Sequence, residues 1–191
     1  MNAATAVALP VERSDDLTKQ DARAARLRTL VEGYYGQVWR LLSHFGVPRD
    51  LLDDAAQEVF LVAARRIDEI RVDREKAFLS GTAFHIARRI SRKGSREDVT
   101  EDIEAEPDPA PSPETSLADK QARELLEKLL DTLETDLRMV FVLHEIEGLS
   151  SSEIASIVGV PVGTAVSRLR RAREKFQTAV EAHQKHWRGK P

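Results

Sequence analysis

Four prolines in seven residues, Pro107-Asp-Pro-Ala-Pro-Ser-Pro113, divide this 191-residue chain into two parts that cannot share one continuous helix. Alternating proline favours extended polyproline backbone. Nine acids and no base between Glu97 and Asp119 keep the same segment solvated. Neither flanking part sustains the two-residue alternation of a strand, and both carry apolar residues at three- and four-residue steps. The expected fold is all-α, two small helical domains joined by a flexible linker. The expected boundaries are a disordered amino-terminal tail over 1–20, a first domain over 21–96, an acidic proline-rich linker over 97–118, a second domain over 119–183, and a basic tail over 184–191.

In the first domain Leu27, Leu30, Val31, Tyr34, Tyr35, Val38, Leu41, Leu42 and Phe45 trace one broad apolar face. Gly46 and Pro48 end that run, and Asp50 is placed to cap a helix reaching Ile70. A third helix is expected from Asp73 to Lys93, its core face formed by Phe78, Leu79, Ala83, Ile86 and Ile90. In the second domain helices are expected from Leu117 to Leu133 and from Asp136 to Glu147.

The most informative stretch runs from Gly148 to Arg173. Ser150 with Glu153 three residues on is a capping box. Ile154, Ile157 and Val158 then fall on one face, and Gly159 and Pro161 stop the short helix. A second helix is expected from Pro161 or Val162, where Val162, Ala165, Val166, Leu169, Ala172 and Phe176 would pack on the first. Thr164, Ser167, Arg168, Arg171 and Lys175 fall opposite, bordered by Arg170 and Arg173. Two helices joined by a tight glycine turn, the second rich in arginine, form a helix-turn-helix suited to a DNA major groove. Arginine can hold guanine O6 and N7 together or clamp a phosphate. A solvated helix hairpin within a bundle is the alternative for these residues alone.

A formal net charge of −3 argues against nucleic-acid binding only until it is mapped along the chain. Arg88, Arg89, Arg92, Lys93 and Arg96 form an acid-free basic run, and the stretch from Gly163 onward is basic again. Two basic surfaces are thus separated by an acidic strap. Zero cysteines exclude disulfides and thiolate metal sites and fit a reducing cytoplasm. No apolar run approaches the roughly 20 residues of a membrane span, and the amino terminus does not have the form of a signal peptide. His44, His85, His144, His183 and His186 are scattered; only the last two share a helical face, so neither a metal nor a cofactor is expected. No phosphate-cradling glycine loop or nucleophile elbow appears, and no catalysis is expected.

One further motif lies in the first domain, Asp53-Asp-Ala-Ala-Gln-Glu-Val-Phe60. On a helix Asp54, Gln57, Glu58 and Leu61 share one side, and Ala55, Val59 and Val62 another. An acidic and amide stripe of this kind suits a basic protein surface; a merely solvated helix face would look the same.

Together the two motifs resemble the extracytoplasmic-function sigma factors of bacterial RNA polymerase, minimal members of the sigma-70 family. The resemblance covers about residues 25 to 95 and 120 to 180. Asp54-Ala-Ala-Gln-Glu-Val-Phe60 is similar to the family's Asp-x-x-Gln-Glu-x-Phe signature. Arg138, Val140, Phe141 and Leu143, then Glu147 to Ser150, Glu153 to Ala155, Gly159-Val160, Gly163-Thr164, Ser167 to Leu169 and Arg171 to Arg173 match the fourth sigma domain. The resemblance implies core polymerase binding (β′ clamp helices, β flap) through Asp53, Asp54, Gln57 and Glu58. It implies −35 recognition by Thr164, Ser167, Arg168, Arg170, Arg171 and Arg173. Melting and holding of the −10 element would fall to Phe84, Arg88, Arg89, Arg92 and Lys93, cations along a backbone with an aromatic near unstacked bases. An anti-sigma partner is implied as well.

The chain departs from the pattern at Thr82, His85 and Arg89, where isoleucine, asparagine and aspartate are usual, and at Val166, where lysine is frequent. A promoter-selecting factor for core RNA polymerase is the expected function. A dimeric helix-turn-helix regulator, or a polymerase- or regulator-binding protein that no longer melts DNA, stands beside it.

Overall fold

Residues 12–94 and 117–188 of the computed structural model are described; within them there are seven α-helices and no strand. Helices α1 (Glu12–His44), α2 (Leu52–Arg65) and α3 (Glu75–Gly94) pack mutually, with short 3-10 turns leading into α2 and α3. Helices α4 (Leu117–Leu130), α5 (Thr135–Phe141), α6 (Ser151–Val158) and α7 (Val162–Arg188) form the second group. A π-helical turn over Val142–Ile146 extends α5. Most of the expected linker lies outside the described residues.

Three element limits differ from the sequence expectation. Helix α1 begins at Glu12, so residues 12–20, expected to be tail, are helical. Asp50 sits within a 3-10 turn and α2 starts after Leu51 with no side-chain cap, ending at Arg65 rather than Ile70. Helix α7 continues to Arg188, past the expected end at 183.

In the first group Leu41, Leu42, Leu52, Val59, Leu79 and Phe84 are buried; in the second, Leu130, Met139, Leu143, Ile154 and Leu169. These two sets are not separate: the buried residues form one contiguous cluster. The expected pair of independent blocks is therefore joined in this arrangement, with α1 against α4 and α3 against α6.

Arg138 makes that junction specific. It comes from α5, yet its guanidinium lies at the carboxy-terminal end of α1. Nε donates to the His44 carbonyl at 2.6 Å and Nη2 to the Ser43 carbonyl at 3.2 Å. The last carbonyls of a helix have no partner within it, and an arginine there satisfies them and opposes the helix dipole. Arg138 also pairs with Asp131 and with Glu127, the latter at 3.2 Å, while Ser43 Oγ donates to Glu127 at 2.9 Å. The chain leaves α1 through Gly46 at φ +85°, and a Cβ there would come within 3.1 Å of the Arg138 guanidinium. Glycine thus serves both the left-handed turn and the close approach. A second socket receives Glu147, which is buried and accepts from Gln37 at 2.7 Å and Ser80 at 3.3 Å, with Lys76 Nζ at 3.5 Å. Arg74 reaches Glu153 at 2.9 Å, and Ile157 sits in ordinary contact over Gly81.

His44 is neutral in this setting. Burial, with the Arg138 and Arg40 guanidinium groups nearby, pushes its pKa down to about 4. Glu127 Oε1 lies 3.6 Å from His44 Nε2, which would favour the charged ring, but that carboxylate is already committed to Ser43 and Arg138. His44 Nδ1 is buried without a partner, so protonation would add an unsatisfied buried donor.

Replacing Arg138 with alanine strands two α1 carbonyls and the Glu127 carboxylate, and is expected to cost about 2–3 kcal/mol in denaturant unfolding. The depressed His44 pKa means the unfolded chain binds the extra proton between about pH 6.5 and about pH 4. Stability is therefore full above pH 6.5 and falls below it, by up to about 2 kcal/mol at pH 5. The fall should shrink in His44→Gln, read as the slope of melting temperature against pH.

Candidate DNA and polymerase interfaces

The helix-turn-helix forms as its residues require. Ser150 Oγ accepts from the Glu153 amide at 3.3 Å, and Glu153 accepts from the Ser150 amide at 3.0 Å, closing both halves of the capping box. The Ser150 hydroxyl also donates to the Glu153 carboxylate at 2.7 Å, and this bond, with the one from the Ser150 amide, holds the Glu153 carboxyl below its ordinary pKa. Gly159 takes φ +73° and its amide bonds to the Ala155 carbonyl at 3.0 Å, ending α6 in a left-handed cap. Pro161 follows, and α7 begins at Val162. Ala165, Leu169 and Ala172 are buried, and Phe176 stacks on Phe141 with centroids 4.6 Å apart.

Ser167, Arg170, Arg171 and Arg173 are exposed on α7, while Thr164 and Arg168 are half-buried. Arg168 pairs with Asp136 at 3.0 Å, Arg170 with Glu174 at 2.8 Å and Arg173 with Glu145 at 2.6 Å. Among the described residues Arg171 makes no ion pair. Val162 and Val166 do not join the packing face as their spacing suggested; they stand 50% and 49% exposed. The residues that face the core are centred on Ala165, Leu169 and Ala172, which leaves both valines at the rim.

On α3, His85, Arg88, Arg89, Arg92 and Lys93 line an open groove of about 490 Å³. Phe84 does not join them. It is 2% exposed, packed edge-on to Phe45 at 6.4 Å, with the Arg88 guanidinium 5.9 Å from its ring. A ring so enclosed would have to leave the core to stack on a base. Arg89 is also engaged, donating twice to the Glu58 carboxylate, once at 2.7 Å. That pairing holds the Glu58 carboxyl below its ordinary pKa. It joins one residue expected to contact DNA with one expected to contact polymerase.

On α2, Asp53, Asp54 and Gln57 are exposed and Glu58 is half-buried. Asp53 is oriented by α1, accepting from Trp39 Nε1 at 3.0 Å and from the Tyr35 hydroxyl at 3.3 Å. Tyr35 in turn stacks on Phe60 at 6.1 Å. Leu51 and Leu61 are exposed on either side of this polar strip. Sequence inspection assigned Tyr35 to the apolar face and gave Trp39 no role. Their four-residue spacing on α1, each with one polar ring atom, was the available signal. Arg138 and Glu147 were seen as parts of a family pattern and not as junction residues.

Comparison with known proteins decides the assignment. The family model "Sigma-70, region 4" matches residues 123–176. The ECF RNA polymerase sigma-E factor of Escherichia coli K12 is 33% identical over 174 residues, covering 85% of this chain and 90% of that protein. The chain belongs to the extracytoplasmic-function sigma factors. The sigma-E factor of Haemophilus influenzae is 32% identical to this sigma factor over 165 residues, covering 80% of this chain and 86% of its own length. The same fold occurs in the sigma factor RpoE of Bartonella quintana, solved with the anti-sigma factor NepR, at TM-score 0.63 and 23% identity over 81% of this chain and 96% of that one. It occurs again in CnrH, solved with the cytosolic domain of CnrY, at TM-score 0.59 and 24% identity over 82% and 88%. Among the described residues no cluster has the make-up of a metal site, and no helix is long and apolar enough to cross a membrane.

If Phe84 serves the core, Phe84→Ala should lower unfolding free energy by about 3–5 kcal/mol. A base-stacking ring on the surface would instead leave the melting curve in place.

Proposed function

We propose that this sigma factor binds core RNA polymerase through Asp53, Asp54, Gln57 and Glu58 on α2. It reads the −35 duplex through α7 and holds the −10 strand along the basic groove of α3. The observation that carries the proposal is the presence, in one chain of this family, of an exposed acid-and-amide strip beside apolar Leu51 and Leu61, and of an arginine-rich helix-turn-helix. Ser167, Arg170, Arg171 and Arg173 are the residues of α7 best placed to meet DNA; Thr164 and Arg168 contribute at its edge. On α3 the role passes to Arg88, Arg92 and Lys93, with Arg89 available once Glu58 is taken by a polymerase cation. The chain itself catalyses nothing in this scheme, uses no metal or cofactor, and works in the cytoplasm beside the polymerase.

Domain boundaries near 96 and 119 follow from the same proposal. The −35 and −10 elements lie about 25 base pairs, or roughly 85 Å, apart along a straight duplex. Helix α7 spans 27 residues, about 40 Å. With α6 packed on both α3 and α7, the reach between the elements would have to come from the length of α7, which is less than half that distance. The Arg138 and Glu147 contacts therefore part when the factor engages promoter DNA on polymerase. Both structural neighbours were solved with partner chains, one of them named an anti-sigma factor. We propose that an anti-sigma protein also binds this factor and favours the closed arrangement.

One specific observation supports a narrower activity. With Phe84 in the core and Arg89 tied to Glu58, two of the five residues assigned to the −10 strand are otherwise occupied. A factor weak in melting would still recruit polymerase. Run-off transcription with core polymerase tests both: activity on ordinary duplex supports full function, and activity confined to a template already open at −10 supports the narrower one. Gln57→Ala and Asp54→Ala should reduce polymerase capture about tenfold or more while shifting the melting temperature little, read by pull-down beside thermal unfolding. Capture unchanged in both variants would remove the α2 assignment.

A further inference from the structure

We propose that Val162 and Val166 read thymine methyl groups in the −35 duplex, giving this sigma factor a thymine preference at positions its arginines do not specify. The inference rests on the proposed −35 role of α7. Both valines lie in the first turns of α7, half-exposed, four residues and so about 6 Å apart along the helix. Branched apolar side chains are poor choices for an exposed helix position, where they restrict χ1 and gain no burial. Only six large apolar residues are exposed among those described; three of these, Tyr35, Leu51 and Leu61, flank the α2 strip, and two are these valines.

The surroundings select DNA as the occupant. From Val162 to Arg173 the helix carries four arginines and no acid, the first carboxylate being Glu174. Arg170 and Arg173 share the exposed side with the valines, and their exposed pairings with Glu174 and Glu145 are weak enough for a phosphate to displace, a setting that favours a polyanion over an apolar protein face. Between the valines, Gly163 has nothing within 4 Å of where a Cβ would stand, so backbone can approach a partner closely. A recognition helix meets base edges with its amino-terminal residues. In the major groove the one apolar group is the thymine C5-methyl, which no G·C pair carries and whose position differs between T·A and A·T. A separation of about 6 Å corresponds to roughly two base steps of 3.4 Å.

The test uses holoenzyme assembled from the full chain and core polymerase. The preferred −35 sequence is first selected from a randomised duplex. Each thymine in it is then replaced singly by deoxyuridine, which removes only the methyl. The expected result is a loss of about three- to fourfold in affinity at one or two thymines within two adjacent steps, the scale of one buried methyl. Little change is expected at the others. Val166→Ala or Val162→Ala should bind thymine and deoxyuridine alike at its own position, and Val166→Thr, which keeps one methyl, should retain part of the difference. Replacing the T·A pair by C·G should weaken binding, and 5-methylcytosine should restore part of it. Sequence-selective binding that tolerates deoxyuridine everywhere overturns the methyl contact alone. A holoenzyme with no sequence preference at −35 overturns the recognition role of α7 and the inference with it.

Discussion

The carbonyl of His44 closes α1 at a place where the second helical group, and not water, lies against it. Left alone, that helix end would hold buried acceptors with no donor. Arg138 resolves this from 94 residues away, donating to His44 and Ser43 while its own charge is met by Asp131 and Glu127. Much of the molecule follows from that one contact. A side chain at Gly46 would crowd the guanidinium, His44 is neutral because it is buried and the same cation stands near it, and α4 and α5 are held against α1. Arg26 does similar work inside the first group, donating to Ile67 at 2.8 Å and to Ile70, the carbonyls of the turn between α2 and α3.

Polar anchoring suits an interface that opens in the proposed mode of promoter binding. A junction built only from leucines would hold two domains through area alone and would leave an apolar face exposed after separation. Here the buried apolar cluster runs through both groups, with Ile157 over Gly81, and direction comes from Arg138, Glu147 and the Arg74–Glu153 pair. Such groups are expensive to bury alone and are readily rehydrated, which lowers the cost of separating them. Glu153 shows the economy of the arrangement: one carboxylate caps α6, shapes the helix-turn-helix, and meets Arg74 across the junction.

What could be read from the sequence was what is local. Ser150 with Glu153, Gly159 with Pro161 and the proline run each act over a few residues, and the capping box and left-handed glycine stand where those residues placed them. Helix faces were legible at their centres and not at their edges. Ala165, Leu169 and Ala172 were safe, but Val162 and Val166 fall where a small rotation of α7 decides between core and solvent. Phe84 shows the converse, an aromatic between two faces whose burial depends on Phe45 of another helix. Contacts across long separations left no local trace. Arg89 with Glu58, Trp39 with Asp53 and Arg138 with His44 join residues whose own neighbourhoods give no hint of the partner.

The arginines of α7 explain how a DNA-reading surface coexists with a net negative chain. Arg168, Arg170 and Arg173 each rest against a carboxylate, on Asp136, Glu174 and Glu145. Pairs this exposed are worth about 0–1 kcal/mol and are weakened by salt. A phosphate offers a comparable bond together with release of bound counterions, so it can displace the acid without repacking the helix. In the proposed −35 role the acids would act as placeholders, orienting the cations while the helix stands free of DNA. Among the described residues Arg171 makes no ion pair, so in the proposed −35 role it would meet a phosphate or a guanine without first giving up a carboxylate.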